Sequence, residues 1–167
     1  MTHRLKPISH DSIARALDKA ERYRLLNEPF FAESICQDVL AIEPDLQRAL
    51  QVYVLALVDQ FGGGEGDKVA RVRAAIARLT SEYERHYYTG ILAERRAVAL
   101  LNAGHFHAGA VAWGHLHDAL ACYLQADAVQ ADDSNDDAVL RYNTCVRLIA
   151  LHGLTEPADD RDDYPLE

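Results

Sequence analysis

"ICQDVLAIEPDLQRAL", residues 35–50, sets a proline between two stretches that each read as helix. Pro44 is either the end of a structure or the joint between two helices of one, and the register of the residues around it decides which. Proline lacks a backbone N–H and clashes with the preceding turn, so a helix has to stop before it. Upstream, Ile13, Ala16, Leu17, Ala20 and Tyr23 recur at steps of three and four. That spacing lines one side of a helix, predicted here over 9–27 with Ser9 or Asp11 as its cap. Asn27 interrupts it, and Pro29 can open a second helix, because the first helical N–H has no intrahelical partner in any case. Phe31, Ile35, Val39 and Ile42 are then expected on the inner face of that second helix, which Pro44 closes.

Beyond the proline, residues 45–61 leave almost no polar side, the pattern of a helix with neighbours on most of its surface. "GGGEGD", 62–67, reads as a flexible turn, after which Val69, Val72, Ile76 and Leu79 carry a fourth helical rhythm. Ser81 with Glu84 has the form of a capping box that opens a fifth helix, running through Tyr83, Tyr87, Ile91, Val98 and Leu101. A loop over 102–109 leads to a sixth helix with Trp113, Leu116, Leu120, Tyr123 and Leu124 at helical steps. Gly114 is the expected weak point of that helix, since a mid-helix glycine costs about 1 kcal/mol against alanine. Ser134 or Asn135 can cap a seventh helix, which Gly153 ends. The expected organisation is one all-α domain over 9–153, an N-terminal arm over 1–8 and an acidic, flexible tail over 154–167.

The register around Pro44 favours the joint. Ala32 lies twelve residues before it, Tyr23 twenty-one, Ala20 twenty-four, and Ala49 lies five after it. Those are the places where a tetratricopeptide repeat, a helix-turn-helix unit of about 34 residues, holds its small residues, its aromatic ring and its closing proline. Residues 13–46 thus resemble one such repeat. A second unit from Gln47 carries Ala49, with Ala70, Ala74 and Ala77 on its second helix. A third from Ser81 has Gly90 at a small-residue position, but its helices are longer than the repeat and no proline closes it. The resemblance implies a tetratricopeptide-like right-handed α-solenoid of three helical hairpins, with the seventh helix as C-terminal cap, since such hairpins bury their apolar faces only by stacking.

Composition narrows the function. Nothing approaches the run of about eighteen apolar residues that a membrane helix needs. The opening "MTHRLKPISHDS" has two basic residues and no apolar stretch behind them, so no secretory signal is expected and cytoplasm is the expected compartment. Residues 1–100 hold 14 Lys+Arg and 14 Asp+Glu, while 101–167 hold 3 and 12, so the whole charge of −9 sits in the rear. An acidic surface repels phosphate backbones, which argues against nucleic acid; Lys68, Arg71, Arg73 and Arg78 read as the wet face of a helix. Cys36, Cys122 and Cys145 are odd in number and widely spaced, and read as small buried apolar residues rather than a disulfide or zinc set.

Catalytic patterns are missing: no H-E-x-x-H, no paired E-x-x-H, no G-x-S-x-G, and "GGGEGDK" lacks the spacing and strand of a phosphate loop. His105, His107, His115 and His117 crowd one stretch. Two histidines two residues apart on a helix point to different faces and chelate poorly together, so they read as surface or interfacial imidazoles; neither a cofactor nor a metal is expected. The resemblance instead implies a protein or peptide partner lying along the first helices of the hairpins. That face would present Leu17, Glu21 and Arg24, then Gln51, Leu55 and Asp59, then Tyr87, Tyr88, Ile91, Glu94 and Arg95, with Arg141 and Thr144 extending it. Tyrosine and arginine are the types that dominate interface energetics. The family's receptors for chaperone tails use a lysine and asparagine set where this chain has Leu17 and Glu21, so that ligand is not expected. The expected function is a non-catalytic interaction scaffold or adaptor; its rivals are a helical ligand-binding or regulatory subunit and a structural homo-oligomer assembled head to tail.

Overall fold

The computed structural model describes residues 3–104 and 108–157. Among these the chain forms seven α-helices and no strand: α1 (Ile13–Leu25), α2 (Pro29–Ile42), α3 (Gln47–Val58), α4 (Lys68–Ile76), α5 (Glu82–Ala103), α6 (Ala108–Ala128) and α7 (Asp137–Leu151). His105, His107 and residues 158–167 of the acidic tail lie outside the described residues.

Local chemistry explains most boundaries. Neither Ser9 nor Asp11 caps α1. A single 3-10 turn over His10–Ser12 precedes it, and the Ser12 hydroxyl donates to the Ser9 carbonyl instead. α1 ends in a Schellman motif: Glu28 N–H donates to Tyr23 O at 2.9 Å and Asn27 N–H to Arg24 O at 3.0 Å. That motif needs a left-handed residue after the cap, and Asn27 supplies it with φ 60°. α7 ends the same way, with Gly153 at φ 58° and Leu154 N–H on Ile149 O. α5 opens on half of the anticipated capping box. Ser81 Oγ accepts from Glu84 N–H at 3.3 Å, but the Glu84 carboxylate is drawn away by Gln51 Nε2 at 2.7 Å. At α7 the cap is Asp136, without a side-chain bond, and Asn135 Oδ1 accepts from Asp137 N–H. Gly114 does not break α6, which runs unbroken through it.

Each helix packs against the next in the chain, and α1, α3 and α5 also touch one another in series. Two buried clusters result, and α3 feeds both: Ala49, Val52 and Ala56 face α1 and α2, while Leu50, Val54, Leu57 and Val58 face α4 to α6. The near-absence of a polar side on α3 is thus the signature of its central place. The most extensive pairing is α5 with α6. Gly90 and Ala97 on one helix, Ala112 and Ala119 on the other, are buried, and small residues let helix backbones approach closely.

Two anticipated faces move, and that of α4 holds in part. On α2 the buried arc is Ala32, Glu33, Cys36 and Val39, while Ile35 and Ile42 are partly buried and Phe31 is 50% exposed, so of the expected Phe31–Ile35–Val39–Ile42 stripe Val39 holds and the rest is turned about one residue off the inner face. The alanine spacing counted from Pro44 and the large-apolar stripe disagree by that turn, and close helix packing favours the alanine. On and just after α4 the anticipated rhythm is buried at Val72, Ile76 and Leu79, while the repeat-register alanines Ala70, Ala74 and Ala77 are exposed. α7 buries Ala138 and Cys145 but leaves Leu140 and Leu151 61% and 77% exposed, so its outer side is apolar rather than the polar face of a terminal cap.

Candidate functional site

Three of the anticipated site residues converge where α1, α3 and α5 lie side by side. Arg24, in the last turn of α1, donates through Nε to Asp59 Oδ2 at 2.7 Å; Arg95 on α5 holds Nη2 3.6 Å from Asp59 Oδ1. Asp59 is the C-terminal cap of α3, the end where the helix macrodipole disfavours a carboxylate. Two flanking guanidinium groups offset that penalty, which is why an acid is tolerated there. The three charges line a cleft of about 480 Å³, with Val58, Phe61 and Val98 among its apolar lining and Asn102 among its polar lining. Two cations against one anion leave the cleft net positive. Arg95 Nε is itself buried without a hydrogen-bond partner, while the Arg95 side chain as a whole stays 31% exposed. The arrangement suits a carboxylate or carbonyl from outside.

Along the same face, Gln51 bridges to Glu84, and Tyr88 lies close to Glu84 and Arg24. Burial, with the Glu84 charge adding to it, pushes the Tyr88 hydroxyl above its ordinary range and keeps it protonated as a donor. Glu21 accepts from Arg48 Nε at 3.0 Å, and Arg48 Nη2 also reaches Asp18 at 2.7 Å. These are exposed ties between α1 and α3. Leu17 and Ile91 are core residues.

Glu94, Tyr87 and Arg141 belong elsewhere. Glu94 is 3% exposed, accepting from Tyr123 Oη at 2.7 Å and from Arg141 Nη1 at 2.9 Å. It ties α5 to α6 and α7 from within, and no partner can reach it at the surface. Tyr87 stacks on Tyr83 and tilts against Tyr123 beside the same network. Gly90 makes room for that ring: a Cβ there would lie 2.6 Å from Tyr123 Cε1.

A second buried carboxylate, absent from the face that the sequence marks out, is Glu33. Glu33 on α2 accepts from Gln60 Nε2 at 2.7 Å, Gln37 Nε2 at 3.0 Å and Arg71 Nη2, and Arg71 Nη2 also donates to Tyr53 Oη at 2.7 Å. Its signal was an acid one residue from Ala32, on the arc that the proline register buries. Arg71, read as a wet-face residue, is instead the link from α4 to α2. The two networks share a composition of glutamate, arginine and tyrosine, and each joins three successive helices.

His115 and His117 do not converge. His117 stacks on Trp113 with ring centroids 3.7 Å apart, and His115 is half-buried on another side of α6. Among the described residues no three His, Cys, Asp or Glu side chains gather into a group that could hold a metal ion. Cys36 and Cys145 are buried and Cys122 half-buried; burial above all pushes the thiols of Cys36 and Cys145 up to about 12. Among the same residues, no helix is long and apolar enough to cross a membrane. Comparison with protein-family models, curated proteins and solved structures finds no match to this chain. The tetratricopeptide resemblance therefore rests on residue spacing alone.

Proposed function

We propose that the chain is a tetratricopeptide-like right-handed α-solenoid of three hairpins and a seventh, terminal helix, acting in the cytoplasm as a non-catalytic scaffold. Its partner is a protein or peptide laid across α1, α3 and α5. Sequential packing of all seven helices, with α1, α3 and α5 in contact, supports the architecture. The observation that carries the function is the Arg24–Asp59–Arg95 cleft with its unpartnered Arg95 Nε. A folded interior leaves a guanidinium nitrogen without an acceptor only rarely, and the same arginine lines a net positive cleft whose lining includes the 83% exposed Leu25. An acidic side chain flanked by an apolar one would complement the positive charge and cover Leu25.

Selection from a displayed random peptide library on the immobilised protein tests this. Enriched peptides should carry Asp or Glu beside a large apolar residue, and should bind Arg95→Ala about tenfold more weakly, the loss expected of one charge-assisted contact. Arg95 is 31% exposed on its side chain, so the variant should melt within a few degrees of the parent. Enrichment indifferent to Arg95 would remove the cleft from the role given to it.

A further inference from the structure

A second groove lies on a different side of α5. Glu33 and Arg71 bridge α2 to α4, but among the described residues no ion pair bridges α4 to α6, and a groove of about 620 Å³ runs between them with α5 as its floor. The cause is length: α4 has nine residues and α6 twenty-one. The floor and walls are apolar, formed by Ile76 of α4, Leu92 and Ala93 of α5, and Ala121 and Cys122 of α6.

The groove's charged groups are mostly cationic. Arg73, Arg85 and Arg96 line it, with the imidazole rings of His86 and His115 beside them, against Asp118 as its one lining carboxylate. Arg96 is engaged by Glu65 at 2.8 Å. Arg85 donates only to the Leu79 and Thr80 carbonyls, and Arg73 makes no ion pair among the described residues. In a chain of net charge −9 this is a local excess of positive charge over an apolar floor.

We propose that this groove binds an acidic amphipathic helix of a partner protein, its carboxylates on Arg73 and Arg85 and its apolar side chains on Leu92, Ala93 and Ala121. Charge complementarity selects the acid. The helical form follows from the walls: α4, α5 and α6 have already spent their backbone N–H and C=O groups internally. An extended peptide would bury unpaired backbone groups, while a helix satisfies its own. The inference does not depend on the Arg24–Asp59–Arg95 cleft.

The probe is a fluorescein-labelled synthetic helix of about 18 residues with leucines at i, i+3, i+4 and i+7 and glutamates on the other face, beside a twin with lysines in place of the glutamates. Anisotropy titrations of the full chain should show binding of the glutamate helix alone. Affinity should fall about tenfold or more with Arg73→Glu and with Ala121→Glu, both at exposed positions, and stay unchanged with Arg95→Ala. Backbone amide shifts should centre on Leu92 and Ala93. Equal binding by the groove variants, no binding, or shifts centred on Arg24 and Arg95 would overturn the proposal. So would displacement of the probe by a synthetic peptide of residues 154–167, since the occupant would then be the chain's own acidic end.

Discussion

Two glycines on neighbouring helices show how much a single Cβ depends on its surroundings. Gly90 faces the Tyr123 ring, whose hydroxyl is held by Glu94 and so cannot retreat. Gly90→Ala should therefore destabilise the fold by about 1–3 kcal/mol, the usual range for overpacking, as read by urea denaturation. At Gly114 nothing lies within 4 Å of a built Cβ. Gly114→Ala should stabilise the fold by about 0.5–1 kcal/mol, through helix propensity alone. The small-residue place of Gly90 was legible in the repeat register; the weak point at Gly114 does not interrupt the helix, because the stripe Ala108, Ala112, Leu116, Ala119 and Tyr123 is buried along it and packing outweighs one glycine. Glu94→Ala would strand the Tyr123 hydroxyl and the Arg141 guanidinium together. With Arg141 29% exposed on its side chain, a loss of about 2–3 kcal/mol is expected, measurable in the same denaturation series. Glu94 was placed on the binding face because a helical wheel cannot tell an outer polar residue from one whose neighbours bring donors to it.

At the scale of the element, starts and stops come from a few side chains. Ser81→Ala removes the acceptor for Glu84 N–H, and the loss of such a cap typically costs about 1 kcal/mol. Thermal unfolding of Ser81→Ala should show it, with a smaller further effect from Glu84→Ala, since Glu84 serves Gln51 rather than the cap. The second half of that capping box was predicted from a local pattern and lost to a partner 33 residues away. Local motifs describe what is available to a side chain, and a distant donor at 2.7 Å can outbid it. The caps of α1 and α7 are settled locally instead: Ser9 offers only its carbonyl to Ser12 Oγ, Ser134 Oγ turns to Asp132, and Asn135, the alternative at α7, accepts from Asp137 N–H. By contrast, both Schellman ends could be anticipated, because the left-handed position restricts the residue to asparagine or glycine whatever lies nearby.

For the whole molecule, titration of buried groups sets where stability should fail. The Cys36 and Cys145 thiols ordinarily titrate near 9 and stand near 12 in the fold. The folded state then keeps protons that the unfolded chain has released, so their contribution is complete below pH 9 and is lost as pH rises toward 12. His115 works in the opposite sense. Burial, then Arg96, lowers its pKa from 6.5, so the folded state gives up a proton that the unfolded chain keeps, and stability should decline as pH falls below 6.5. Denaturation midpoints at pH 5, 7.5 and 10.5 should accordingly peak at the middle value; a midpoint that rises at the alkaline end would contradict the burial of both thiols. By itself the sequence determined the number of helices, their order and most of their ends, because periodicity, proline and left-handed residues act over a few neighbours. It also determined that α3 lies at the centre, since a helix without a polar side has nowhere else to go. Only the tertiary structure decided which way each helix turns its charged residues: it drew Glu33 and Glu94 inward onto arginine and tyrosine, and left Arg24, Asp59 and Arg95 facing one cleft. The physical reason is that a buried charge is acceptable only where long-range packing delivers its partners, and those partners come from elsewhere in the chain.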